Sequence, residues 1–156
     1  MNTNIRSIAA RLVLVTGLAG SAMAIIPGVA SAGDIIACAG KTITATASNT
    51  TLYGTCGNDT FKLMQFSNVT VYAGNGHDTI HAGFAPIGGT NYVYGEGGND
   101  HVRQLNDARV WFSGGAGNDT LEGSSGYDAF LGGSGTDTFI DAMPGDYYDG
   151  SVELFG

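Results

Sequence analysis

Apolar residues recur along most of the chain at a spacing of nine. The series is Ile43, Leu52, Phe61, Val71, Ile80, Val93, Val102, Phe112, Leu121, Phe130, Phe139 and Tyr148. Two steps are ten residues and one is thirteen, which predicts bulged loops around Ser67, Pro86 and Asn106. Several of these residues lie between polar neighbours, as in Thr60-Phe61-Lys62 and Thr79-Ile80-His81. Alternation over so few residues reads as a short half-buried strand. The glycine-rich stretches between strands read as turns. Strict self-similarity at a short period is the mark of a solenoid, in which each unit buries its apolar face only by stacking on the next.

The polar positions repeat as well. Gly57-Asn58-Asp59-Thr60-Phe61 is followed by Gly76-His77-Asp78-Thr79-Ile80, Gly98-Asn99-Asp100-His101-Val102, Gly117-Asn118-Asp119-Thr120-Leu121, Gly126-Tyr127-Asp128-Ala129-Phe130 and Gly135-Thr136-Asp137-Thr138-Phe139. The aspartates lie 19, 22, 19, 9 and 9 residues apart. In the earlier part every second unit keeps its apolar residue and loses its aspartate. A lone Asn-Asp-Gly segment would be ordinary turn chemistry; six in register are not.

This pattern resembles the RTX, or haemolysin-type, calcium-binding repeat GGxGxDxUx, with U a large apolar residue. Gly114 to Leu121 and Gly132 to Phe139 match every defined position, whereas Thr55 and Glu96 replace the second glycine and Ala73 the first. The resemblance spans about residues 50–140 and implies an all-β fold, a right-handed parallel β-roll of nine-residue units. It also implies calcium ions, each held between stacked loops by an aspartate from each loop. Four such sites are expected on one edge: Asp59/Asp78, Asp78/Asp100, Asp100/Asp119 and Asp119/Asp137. The carbonyls of Gly57, Gly76, Gly98, Gly115, Gly117, Gly126, Gly133 and Gly135 would complete them. The opposite edge reads Thr50, Val69, Asn91, Val110, Asp128 and Asp146, so at most one weak site, at Asp128, is expected there.

In the roll that the resemblance implies, simple electrostatics also favours a cation. With two units per turn, aspartates about 18 residues apart stack one strand spacing apart, ~4.8 Å. At ~5 Å and an effective dielectric of ~20, each adjacent carboxylate pair repels by about 3 kcal/mol. A hard dication that takes 6–8 oxygen ligands turns that repulsion into attraction. Glycine reaches positive φ without a Cβ penalty, which suits tight loops. The composition agrees: 26 glycines and only six lysines and arginines in 156 residues.

The leading 32 residues read as a signal peptide. Arg6 and Arg11 precede an apolar stretch from Leu12 to Ile26, and Ala30-Ser31-Ala32 forms a small-x-small cleavage site, with an earlier cut after Ala24 as the alternative. Gly17, Gly20 and Pro27 interrupt the stretch and disfavour a permanent membrane span. A small, secreted, bacterial member of the family is the expectation, although many RTX proteins leave the cell through an uncleaved C-terminal signal instead. Removal of the leader leaves four basic against fourteen acidic residues, net −10. Such a surface suits cations and argues against nucleic acid.

Residues 33–49 are expected to cap the roll and 141–156 to form a degenerate C-terminal cap. Cys38 and Cys56 are 18 residues apart, the same loop position in adjacent turns, and export favours a disulfide between them. Lys41 falls at the aspartate position of the first turn, where its ammonium could replace an ion beside Asp59. Gly40-Lys41-Thr42 is not a phosphate loop, because Ile35 stands where that motif needs glycine.

Outward positions predict side-chain ladders. One reads Thr42, Thr60, Thr79, His101, Thr120, Thr138; its neighbour reads Thr44, Lys62, His81, Arg103, Glu122, Ile140, whose charges disfavour an ice-binding plane. The other face is aromatic: Tyr53, Tyr72 and Tyr94 in one ladder, Tyr92, Trp111 and Tyr147 in the next. His77, His81 and His101 read as solvated. No H-E-x-x-H, G-x-S-x-G or EF-hand loop occurs, and no enzyme is expected. The leading function is an extracellular calcium-binding structural or adhesion module that folds on calcium. The alternative is a glycan- or protein-binding module using Tyr53, Tyr72, Tyr92, Tyr94 and Trp111, with calcium purely structural.

Overall fold

A computed structural model describes residues 38–83, 89–105 and 109–155. Thirteen strands follow one another: β1 (Thr42–Thr44), β2 (Thr51–Tyr53), β3 (Thr60–Lys62), β4 (Thr70–Asn75), β5 (Thr79–Ala82), β6 (Thr90–Gly97), β7 (His101–Gln104), β8 (Arg109–Ala116), β9 (Thr120–Glu122), β10 (Ala129–Ser134), β11 (Asp137–Ile140), β12 (Tyr147–Tyr148) and β13 (Val152–Phe155). Odd strands form one parallel sheet of seven and even strands a second of six. The chain alternates between the two, and each pair of strands makes one turn of a β-solenoid. The leader and the loops around Pro86 and Asn106 lie outside the described residues.

The core lies between the sheets. Phe61, Val71, Ile80, Val93, Val102, Phe112, Leu121, Phe130 and Phe139 are buried, with Ile43 and Leu52 packed partly buried at the N-terminal end. Phe112 stacks on Phe130 at 4.9 Å between ring centroids, and Phe139 meets Phe130 edge-on at 6.2 Å. Such pairs add about 0.5–1.5 kcal/mol to the burial of the rings themselves.

Three features depart from the sequence expectation. Tyr148, last of the apolar series, is exposed, because β12 ends its sheet. Strands β4, β6, β8 and β10 are six to eight residues long and continue into the glycine loops instead of stopping after three. There the loop amides extend the ladder: Gly76 N–H donates to Gly97 O, Gly98 to Ala116 and Gly117 to Ser134 at 2.7–2.8 Å. Finally, β13 adds a strand beyond the aspartate repeats and pairs Asp137 with Val152 and Phe139 with Leu154.

Candidate metal centre

Lys41, Asp59, Asp78, Asp100, Asp119 and Asp137 occupy equivalent places at the starts of the odd strands. The pairing Thr42↔Thr60↔Thr79↔His101↔Thr120↔Thr138 holds them in register. Each aspartate Oδ1 accepts the backbone N–H of the equivalent residue one turn earlier. Lys41 donates to Asp59 at 2.6 Å, Asp59 to Asp78 at 2.6 Å, Asp78 to Asp100 at 2.8 Å, Asp100 to Asp119 at 2.8 Å and Asp119 to Asp137 at 2.9 Å. The spacing of 22 between Asp78 and Asp100 does not break this column.

The second carboxylate oxygens set the chemistry. Oδ2 of Asp78, Asp100, Asp119 and Asp137 is buried and has no hydrogen-bond partner. Burial pushes the Asp78 and Asp119 carboxyls up to about 6 and Asp100 up to about 7; the single N–H that each accepts only partly offsets this, and neighbouring aspartates push further upward. A buried carboxylate oxygen without a donor requires a proton or a cation. The glycine five residues earlier makes room for it: a Cβ on Gly95, Gly114 or Gly132 would overlap Oδ2 of Asp100, Asp119 or Asp137. Among the described residues no three His, Cys, Asp or Glu side chains converge, so a cation here needs backbone carbonyls as well. Hard oxygen donors of this kind fit calcium.

The loop glycines form two further columns. Gly57, Gly76, Gly98, Gly117 and Gly135 stack so closely that a Cβ on each later member would strike the carbonyl of the one before. Gly115 and Gly133 belong to the second column with Gly74 and Glu96; the three glycines take φ of 101–104° and Glu96 follows at φ 70°. Gly126 lies in the loop before Asp128, on the other edge.

On that edge Asp128 is buried. Its Oδ1 accepts the Val110 N–H at 2.9 Å, its Oδ2 has no partner, and burial raises its carboxyl to about 6. Asp146 is differently placed: it accepts from Asp128 N–H at 2.9 Å and Met143 N–H at 2.6 Å, one on each oxygen. Earlier in the chain the edge belongs to the core, since Val69 and Val110 are buried where aspartate is missing. Asn91 keeps the polar link through its Oδ1 to Val69 N–H at 3.1 Å.

Two expectations about individual residues are corrected. Lys41 meets Asp59 through its backbone N–H, and no ion pair joins the two. The histidines are not simply solvated: His101 pairs with Glu122 at 2.8 Å, and Glu122 also holds Arg103 at 3.0 Å. His77 Nδ1 accepts the Asn99 N–H at 2.8 Å within an outer ladder. There Asn58 accepts from His77, Asn99 from Asn118, and Asn118 from Thr136. The signal for it was present: asparagine precedes Asp59, Asp100 and Asp119, and its amide oxygen can accept as the carboxylate does.

Cys38 and Cys56 are joined, with Cα atoms 4.8 Å apart. Tyr53, Tyr72 and Tyr94 stack face to face at 5.4 and 4.9 Å, so neighbouring rings cover their faces. Trp111 is tilted against Tyr92 and Tyr94.

A family model, the RTX calcium-binding nonapeptide repeat in four copies, matches residues 66–84, 88–103 and 111–140. No curated protein and no solved structure matches the chain at a significant level.

Proposed function

Since this chain carries RTX calcium-binding nonapeptide repeats, we propose that it is a secreted, non-enzymatic β-roll that folds as calcium binds and serves a structural or adhesive role outside the cell. The observation that carries this reading is the row of buried, unpartnered Oδ2 atoms on Asp78, Asp100, Asp119 and Asp137. These four residues would hold the ions, with loop carbonyls completing the coordination. Asp128 would hold one on the opposite edge. A bound dication supplies the positive charge that these desolvated carboxylates lack. The chain's own part is to bury the carboxylates, orient each through its N–H link and leave glycine space around it. Because the ligands come together only in the folded chain, binding free energy is folding free energy. Extracellular calcium modules have dissociation constants of ~10⁻⁴–10⁻³ M, which suits folding after export.

Circular dichroism of the chain without its leader tests this. Little β signal is expected in chelator and a cooperative gain at millimolar calcium, with magnesium a poor substitute because it demands stricter octahedral geometry. A full β spectrum and a cooperative melt in chelator, unchanged by calcium, would refute it.

The second reading, a glycan- or protein-binding face, rests on Tyr92 and Trp111. Tyr92 is 41 % exposed, and neither ring is stacked parallel to a neighbour. A glycan array with Trp111→Ala beside the unaltered chain separates the two readings.

A further inference from the structure

One aspartate in the column is unlike the rest. Asp59 is buried in the same register, yet neither of its oxygens is left without a partner. Oδ1 accepts the Lys41 N–H at 2.6 Å, Oδ2 accepts the Thr55 N–H at 2.5 Å, and the Thr55 hydroxyl lies 3.0 and 3.2 Å from the two oxygens. Thr55 also accepts the Gly57 N–H at 3.1 Å, which ties the short loop together.

The cause lies four residues before each aspartate. At that place stand Thr55, Gly74, Glu96, Gly115 and Gly133 in the main column. The last four all take positive φ, and the aspartates after them keep a free buried oxygen. Thr55 does not take positive φ, a region that β-branched side chains strongly disfavour. Its amide therefore turns onto its own aspartate. Glu96 shows that the difference is conformational and not simply the lack of glycine, since it adopts the left-handed shape and leaves Asp100 Oδ2 open. Asp128 is an intermediate case: Ser124 stands four residues before it without positive φ, and its backbone bonds to the Asp128 carboxylate, which still keeps one oxygen unpartnered.

Resting on the calcium-binding reading above, we infer that Thr55 closes the first turn to calcium by supplying to Asp59 the contacts an ion would otherwise make, so the row of ions starts at Asp78. Thr55 is thus a specificity-determining residue, making Asp59 an internal clamp and not a ligand. The family match starts at residue 66, beyond this turn. The disulfide Cys38–Cys56 lies beside the clamp, so the first turn is held by bonds that need no metal.

The test counts calcium bound per oxidised chain by equilibrium dialysis at saturating calcium, with folding followed by circular dichroism. Asp59→Asn should bind as many ions as the unaltered chain, and Thr55→Gly should bind one more. Asp119→Asn, in contrast, should bind fewer. Loss of an ion in Asp59→Asn would overturn the inference, as would an unchanged count in a folded Thr55→Gly chain. Should Thr55→Gly fail to fold, the Asp59→Asn count alone decides. If the unaltered chain binds no calcium, the underlying reading fails; if Asp119→Asn and Asp59→Asn lose ions equally, that reading stands and only the role of Thr55 falls.

Discussion

The backbone N–H of Asp119 reaches Oδ1 of Asp137 at 2.9 Å, one turn further along the solenoid. Asp119 in turn accepts the N–H of Asp100. It therefore stands between two aspartates that each keep a free buried oxygen, whereas Asp128 stands between Val110 and the fully bonded Asp146.

Asp119→Ala should accordingly lose more bound calcium than Asp128→Ala. Each replacement also orphans a buried N–H, at a cost of about 1–3 kcal/mol. Calorimetric titration of both variants checks the difference, and equal losses of calcium would count against a single main edge.

Ala73 stands five residues before Asp78, but where glycine holds that place a Cβ would reach the carboxylate, as at Gly95, Gly114 and Gly132. Gly114→Ala places a Cβ on top of Asp119 Oδ2 and close to the Gly132 carbonyl, so calcium binding should weaken severely and the melting point should fall. Gly150, with nothing within 4 Å of its would-be Cβ, is the control, and Gly150→Ala should melt and bind as the unaltered chain does.

Glu96 is strained at φ 70°, and it is exposed. A left-handed non-glycine residue costs about 1–2 kcal/mol, part of which glycine returns through greater entropy loss on folding. Glu96→Gly should therefore stabilise the calcium-loaded fold by about 1 kcal/mol or less, seen as a modest rise in melting temperature without a change in the number of ions bound.

Protons and calcium should compete. The folded carboxyls of Asp78, Asp100, Asp119 and Asp128 lie at about 6–7, above the ordinary 3.8. Without an ion, the folded chain takes up protons first as pH falls through 7 to 6. The metal-free fold is thus least stable above pH 7, gains stability as pH drops through that window, and gains no more once the unfolded carboxyls protonate near 3.8. Calcium affinity should move the opposite way, falling between pH 8 and pH 5. Titrations at these two pH values with equal affinity would contradict the buried-carboxylate account.

Protein purified without reductant should be lighter by two hydrogens than the free dithiol, with Cys38 and Cys56 in one crosslinked peptide. For a loop of 18 residues the link contributes about 3 kcal/mol, so reductant should lower the melting temperature in saturating calcium.

The nine-residue rhythm made the architecture legible: nine of its apolar positions are buried in the core of the solenoid, and the aspartate column follows directly from it. What could not be read was decided by backbone conformation. Thr55 and Glu96 look like equivalent losses of a glycine, and only φ separates the one that engages its aspartate from the one that does not. Val69 and Val110 read as decayed ligand positions, but they are core residues at a corner of the solenoid. Strand β13 carries no aspartate and breaks the nine-residue step, so nothing periodic marked it.

The last residue of the aspartate register, Val152, gives the stack a blunt terminus. Its N–H, which would receive the carboxylate of any following turn, points back to the Asp149 carbonyl at 3.4 Å. At the opposite end Lys41 offers an ammonium in place of an acceptor, so no upstream amide can dock on it. A column of identical units invites molecules to splice end to end into fibres. Here neither Lys41 nor Val152 carries the carboxylate that links one turn to the amide of the turn before it, so the aspartate column has no such link to offer a second molecule at either place.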